Sequence, residues 1–271
     1  MPSDADSRRE ELRQTFETVP ALYDRVRPTY PDELFVDLAL VIRPGGRILE
    51  IGPGTGQATL PLAERGFEVV AVELGPALAA FTRAKLAAFP ETEIVNGEFE
   101  RTSFDGSFDA VVAFTSFHWI DPALRYAKAA SLLRPAGVLA VTEVSHVRVQ
   151  DDDPFWVEVQ ADYDAVVPGP DNRPPPLLAE VGDLRSEITA TRLFAGVEVR
   201  RYVWQVTYGA AEYIDLLRTY SPNIVLDPET SPELLRRIRA RIEARDDPHV
   251  TKSYLATTNI ARTAPDAAAA G

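Results

Sequence analysis

Arg47-Ile48-Leu49-Glu50-Ile51-Gly52-Pro53-Gly54-Thr55-Gly56-Gln57 decides how this chain is read. An apolar run ends on glycine-rich sequence, and Ala58 to Arg65 continues with helical spacing. A strand that breaks on glycine and restarts as a helix aims backbone N–H groups and a helix N-terminus at one place, which favours a nucleotide-like ligand. The next apolar run, Glu68 to Val72, leads to Glu73. Glu73 follows the first glycine by about 20 residues, where a nucleotide-binding unit places the carboxylate that grips a ribose diol.

The glycine spacing narrows the ligand. A dinucleotide fingerprint needs a glycine three positions after its second, and this chain has Gln57 there. The glycines fall at 52, 54 and 56 instead, preceded by Glu50, an acid that repels a pyrophosphate and attracts a cation. The pattern resembles motif I of the class I S-adenosylmethionine (SAM) methyltransferases, E/D-x-G-x-G-x-G. SAM carries a sulfonium and an ammonium. The resemblance implies that Glu50, Gly52, Pro53, Gly54 and Gly56 meet the cofactor, that Glu73 holds its ribose and that Leu74 packs on its adenine.

Further elements match in order over roughly residues 16–145. Asn96-Gly97-Glu98-Phe99-Glu100 resembles the family's turn after strand three, which implies an adenine contact from Glu98 and Phe99, although the family usually has Asp where Glu98 stands. Phe114-Thr115-Ser116-Phe117-His118-Trp119-Ile120-Asp121 resembles the motif after strand four. It implies that Thr115 and Trp119 wall the cofactor and that His118 takes a proton from the acceptor. Tyr23-Asp24-Arg25-Val26-Arg27-Pro28-Thr29-Tyr30-Pro31 resembles an element of a small-molecule branch that includes trans-aconitate-methyltransferase-like proteins. There Tyr23 would cover the methionine end of SAM, and Arg27 would pair with its carboxylate or cap a helix. Glu143 and His146 follow strand five, where they could line an acceptor pocket, with Glu143 a second catalytic candidate. Arg134-Pro135-Ala136-Gly137 resembles a structural turn of the family, with Ala136 replacing a glycine.

Strands and helices alternate through residue 144, which predicts a doubly wound parallel α/β sheet. Strands are expected over Arg47–Ile51, Glu68–Leu74, Glu93–Asn96, Phe108–Phe114 and Val138–Val144. Helices are expected over Ser7–Val19, Asp32–Leu40, Ala58–Arg65, Pro76–Phe89 and Pro122–Leu133. From Asp151 to Arg192 two amphipathic helices flank a proline-rich loop, Pro168–Pro176. This insertion is expected to form the acceptor side and a lid, together with the turn Phe117–Trp119. A long strand, Val197–Tyr208, then precedes helices Ala210–Tyr220 and Pro232–Arg245 and a last strand, Tyr254–Ile260. The whole is expected as a Rossmann-like, doubly wound seven-stranded sheet with an antiparallel last strand and a helical insertion after strand five. Its parts are an N-terminal helical cover (1–45), a SAM-binding core (46–145), the insertion (146–195), the C-terminal part of the sheet (196–263) and a disordered tail (264–271).

Composition narrows the partners. The formal net charge of −13 opposes a phosphate backbone, so nucleic acid is not expected as substrate. The chain has no cysteine, which excludes disulfides, thiolate metal sites and a cysteine nucleophile. No apolar run approaches the roughly 20 residues of a membrane span, and the three histidines lack metal-ligand spacing. These features lead us to expect a cytoplasmic monomer or homodimer without metal. The function expected is SAM-dependent methyl transfer to a small-molecule acceptor by direct displacement, releasing S-adenosylhomocysteine. A non-catalytic SAM-binding regulator would share the same core. A NAD(P)-binding oxidoreductase is disfavoured by Gln57 and by the lack of a Tyr-x-x-x-Lys pair.

Overall fold

The computed structural model describes residues 20–169, 172–220 and 230–264. The helix expected over Ser7–Val19 and residues 265–271 of the expected tail lie outside the described residues. Seven strands form one mixed sheet: β1 (Arg47–Ile51), β2 (Glu68–Glu73), β3 (Thr92–Asn96), β4 (Phe108–Phe114), β5 (Leu133–Val147), β6 (Phe194–Gly209) and β7 (His249–Thr263). Their order is β3-β2-β1-β4-β5-β7-β6. The first five strands pair in parallel, Leu49 beside Val70 and Val111 for example, and the last strands run antiparallel to them. The order reverses beside β1, so the carboxyl ends of β1 and β4 diverge around a crevice, the usual ligand position in such sheets.

The chain gathers into two compact units, each built from separate segments. Among the described residues, the first contains 29–144, 182–202 and 256–264, and the second 20–28, 145–169, 172–181, 203–220 and 230–255. In the first, Leu49, Ile51, Val70, Val72, Val111, Leu139 and Val141 form a core on the sheet with Phe99, Phe108 and Phe117. Near-continuous apolar strands follow from burial on both sheet faces. In the second, helix Thr230–Glu243 turns Leu234, Ile238 and Ile242 inward and packs on helices Ala210–Leu217 and Gln160–Val166. Apolar positions four residues apart make that single buried stripe.

Several boundaries differ from the sequence reading. β5 begins at Leu133, ahead of the Arg134–Gly137 turn. Phe108 pairs with Leu133 and Ala110 with Val138, so the turn is an irregularity inside the ladder, with Ala136 at φ +59°. Pro20–Val26 is a helix that the prolines around Tyr23 had obscured. Among its described residues the insertion holds short helices over Phe155–Glu158, Gln160–Val166 and Arg185–Ala190 and a 3-10 turn over Leu178–Glu180. Its residues through Val181 belong to the second unit and those from Gly182 to the first. Ala264, at the start of the expected tail, donates its N–H to Leu193 O at 2.9 Å.

Candidate active site

The site of the first unit starts at the turn after β1. Gly52 and Gly54 have φ of +65° and +58°, a region costly for any residue with a Cβ. A Cβ at Gly52 would lie 2.7 Å from Ser116 Cβ, whereas one at Gly54 would meet nothing within 4 Å. Gly52 therefore serves close packing, and Gly54 keeps an open side. Both alanine variants carry left-handed strain of about 1–2 kcal/mol, but only Gly52→Ala adds a clash. Urea unfolding is expected to show Gly52→Ala as the less stable, and Gly54→Ala as the one that stays folded yet loses ligand affinity. Equal destabilisation would contradict this division.

Side chains fix the turn. Glu73, at the end of β2, accepts the Gly54 N–H at 3.0 Å and the Gly75 N–H at 2.9 Å. Thr82 Oγ1 donates to Gly54 O at 2.6 Å, and the Ser116 hydroxyl to Ile51 O. Asn96, the last residue of β3, donates from Nδ2 to Glu73 O at 2.9 Å and Leu74 O at 3.0 Å. That amide joins the turns after β2 and β3, a role its position alone did not reveal.

Glu50 lies inside β1 and is 1 % exposed. Its Oε2 makes no hydrogen bond among the described residues. Burial pushes its carboxyl up to about 8; the neighbouring Thr59 hydroxyl pulls back against this, and the nearby Glu73 charge adds a smaller push upward. A buried carboxyl without a partner is costly to ionise. Below pH 4.5, the ordinary value, the group is protonated in folded and unfolded chains alike. As pH rises towards 8 only the unfolded chain releases the proton, so stability falls across that window. Glu50→Gln is expected to unfold like the native protein near pH 4.5 and to be more stable near pH 8, as read by urea unfolding. A native stability that rises with pH relative to the variant would refute the burial argument.

The turn after β4 carries the candidate chemistry. Thr115 has φ +55°, strained for a β-branched residue. It is held by its N–H on Thr142 O at 2.8 Å and by its hydroxyl, which donates to Phe114 O at 2.7 Å and lies 3.3 Å from Tyr30 OH. Tyr30, whose ring packs on Phe114 at 5.2 Å, thus joins the site from a motif that pointed only to Tyr23 and Arg27. His118 Nδ1 lies 3.2 Å from Glu143 Oε2, and the His118 ring sits 4.8 Å from that of Trp119. The two acid–base candidates, 25 residues apart in the chain, form one half-exposed pair, His118 in the turn after β4 and Glu143 inside β5, which extends past both Glu143 and His146 instead of ending before them.

The other expected contacts are differently placed. Glu98 pairs with Arg101 at 3.0 Å, and its carbonyl accepts the Thr102 hydroxyl at 2.8 Å. The Phe99 ring is buried 6.4 Å from Phe104, which leaves its backbone for any ligand contact. Tyr23, Arg27 and His146 belong to the second unit. Arg27 donates to Thr219 Oγ1 at 2.9 Å and Thr219 O at 2.6 Å, just past helix Ala210–Leu217, so it closes a helix end there. Among the described residues no group of three or more His, Cys, Asp and Glu is placed to hold a metal ion. No described helix is long and apolar enough to cross a membrane.

Comparison with known proteins adds to this geometry. The family described as "Methyltransferase domain" matches residues 49–141. An uncharacterised methyltransferase of Mycobacterium tuberculosis H37Rv is 30% identical over 232 residues, spanning 85% of this chain and 86% of that protein. A demethylmenaquinone methyltransferase of Beutenbergia cavernae is 32% identical over 127 residues, 46% of this chain and 49% of its own. A solved structure from Anaeromyxobacter dehalogenans, named as a candidate type II methyltransferase, superposes with a TM-score of 0.60 at 26% identity, covering 88% of this chain and 97% of that one.

Proposed function

The chain belongs to the class I SAM-dependent methyltransferases, and we propose that it methylates a small-molecule acceptor by direct displacement. The observation that carries the cofactor side is the pairing of an open turn with an orphaned acid: Gly54 faces empty space, and buried Glu50 Oε2 lacks a partner. A ligand with a cationic group and a ribose fits those donors and acceptors. Glu50 would meet the ammonium, Glu73 the ribose hydroxyls, Leu74 the adenine face, and the backbone at Glu98 and Phe99 the adenine edge. SAM supplies a methyl group already activated on a sulfonium, so the protein's task is to position the acceptor and exclude water.

His118 then acts as the base where the acceptor must lose a proton. The Glu143 carboxylate holds Nδ1 of the imidazole, which leaves Nε2 for the acceptor hydroxyl or amine. Thr115, strained and pinned, fixes the turn that carries His118. The acidic net charge supports a small acceptor over a nucleic acid.

Incubation with trideuteromethyl-labelled SAM and a panel of metabolites, followed by mass spectrometry, tests this. The expected outcome is a labelled small molecule and S-adenosylhomocysteine in equal amounts. Label appearing only in added RNA would overturn the small-molecule reading. SAM binding without turnover across the panel would favour a regulatory protein.

A further inference from the structure

The second unit contains a cluster of buried polar and aromatic groups that includes none of the residues given above to the cofactor turn or to the His118–Glu143 pair. Lys252 and Tyr254, two apart on β7, share one face of the sheet. Lys252 is 4 % exposed. Its Nζ donates to Tyr220 OH at 2.9 Å and lies 4.8 Å and 5.0 Å from the centroids of the Tyr220 and Tyr254 rings. Among the described residues no carboxylate lies within ion-pair distance of it. A buried ammonium is costly unless paired, and two ring faces and one phenol offset only part of that cost.

The surroundings add positive charge. The Arg27 guanidinium sits 4.3 Å over the Tyr220 ring. Although burial pushes the other way, Lys252 and Arg27 pull the Tyr220 hydroxyl below its ordinary value. Burial, aided by the Lys252 charge, holds His146 neutral, with a value down at about 2. Two cations, Lys252 and Arg27, thus converge on the Tyr220 ring.

Two ring nitrogens beside it lack partners. His146 on β5 and Trp204 on β6 flank Tyr254: the Trp204 ring stacks on it at 5.3 Å, and the His146 ring lies 6.5 Å away with Trp156 edge-on at 4.3 Å. His146 Nε2 and Trp204 Nε1 are both buried and without a hydrogen bond among the described residues. Such orphans in a native interior call for a missing partner. Both residues keep partial exposure, whereas Lys252 does not.

We propose that the second unit binds a small planar organic anion, an aromatic carboxylate bearing a hydroxyl, at Lys252, His146 and Trp204. The carboxylate meets the Lys252 ammonium and accepts from the Trp204 N–H. The hydroxyl donates to neutral His146. The rings of Tyr254, Trp204 and Trp156 supply apolar faces for the ligand ring.

Calorimetric titration with salicylate, and with salicylamide as the neutral analogue, tests the site in the full-length protein. Salicylate is expected to saturate one site per chain and to bind at least about tenfold tighter than the amide, the discrimination of one charge-assisted contact. Lys252→Met should abolish that preference while leaving salicylamide affinity unchanged. Trp204→Phe, which keeps a ring but loses the N–H, should weaken salicylate by about threefold or more, and it serves if the lysine variant fails to fold. No saturation by salicylate, equal affinity for the amide, or unaltered binding in both variants would overturn the proposal. S-adenosylhomocysteine is titrated into the same samples. Its binding reports on the first unit, so loss of one site is distinguishable from loss of the other.

Discussion

Glu73→Ala is expected to weaken S-adenosylhomocysteine binding by roughly 10²- to 10⁴-fold. Two hydroxyls donating to one carboxylate contribute about 1.5–3 kcal/mol each, and every 1.4 kcal/mol is about tenfold in affinity. The carboxylate is pre-positioned: it is 7 % exposed and fixed by the N–H groups of Gly54 and Gly75, so little ordering remains to be done on binding. The same two bonds predict a secondary loss, because the variant frees the turn that Gly54 forms. Calorimetry with a parallel thermal melt separates these effects. An unchanged dissociation constant in a folded variant would mean that Glu73 serves only the turn.

His118→Ala is expected to lower turnover by roughly 10²- to 10⁴-fold, the range a positioned base contributes, with S-adenosylhomocysteine affinity little changed. Glu143→Gln should lose less. It keeps an acceptor oxygen near His118 Nδ1, now 3.2 Å from the carboxylate, but removes the charge that steadies the imidazole. Steady-state kinetics on both variants with one identified acceptor would measure this. Full turnover in His118→Ala would leave the reaction resting on proximity and water exclusion.

Local signals carried much of the fold. β4 runs over Phe108–Phe114 as read, because a run that is apolar at every position but Asp109, bounded by polar residues, reads as a strand buried on both faces. β5 and β7 were read too short. Pro135 and Gly137 look like a strand end, yet the ladder resumes beyond them, and the flanks of β7 at His249–Ser253 and Ala261–Thr263 carry charges and hydroxyls that hide their pairing. Such strands are fixed by partners distant in sequence, which periodicity does not record. At the site, glycine spacing and the two acids were visible in the chain. The His118–Glu143 contact, the hydroxyl contact of Tyr30 with Thr115 and the amide of Asn96 across two turns were not, because each depends on the angle at which neighbouring strands end. Arg27 shows the converse: its motif left open a cofactor carboxylate or a helix end, and in the described structure it donates to the carbonyl of Thr219, just past helix Ala210–Leu217.

The central claim is that the glycine turn of the first unit, with Glu50 and Glu73, is a SAM site. Titration calorimetry of the native protein with S-adenosylhomocysteine and, separately, with NAD tests it most directly. The account predicts one saturable S-adenosylhomocysteine site per chain, lost in Glu73→Ala, and no saturable heat with NAD. Saturable NAD binding with no response to S-adenosylhomocysteine or SAM would contradict it.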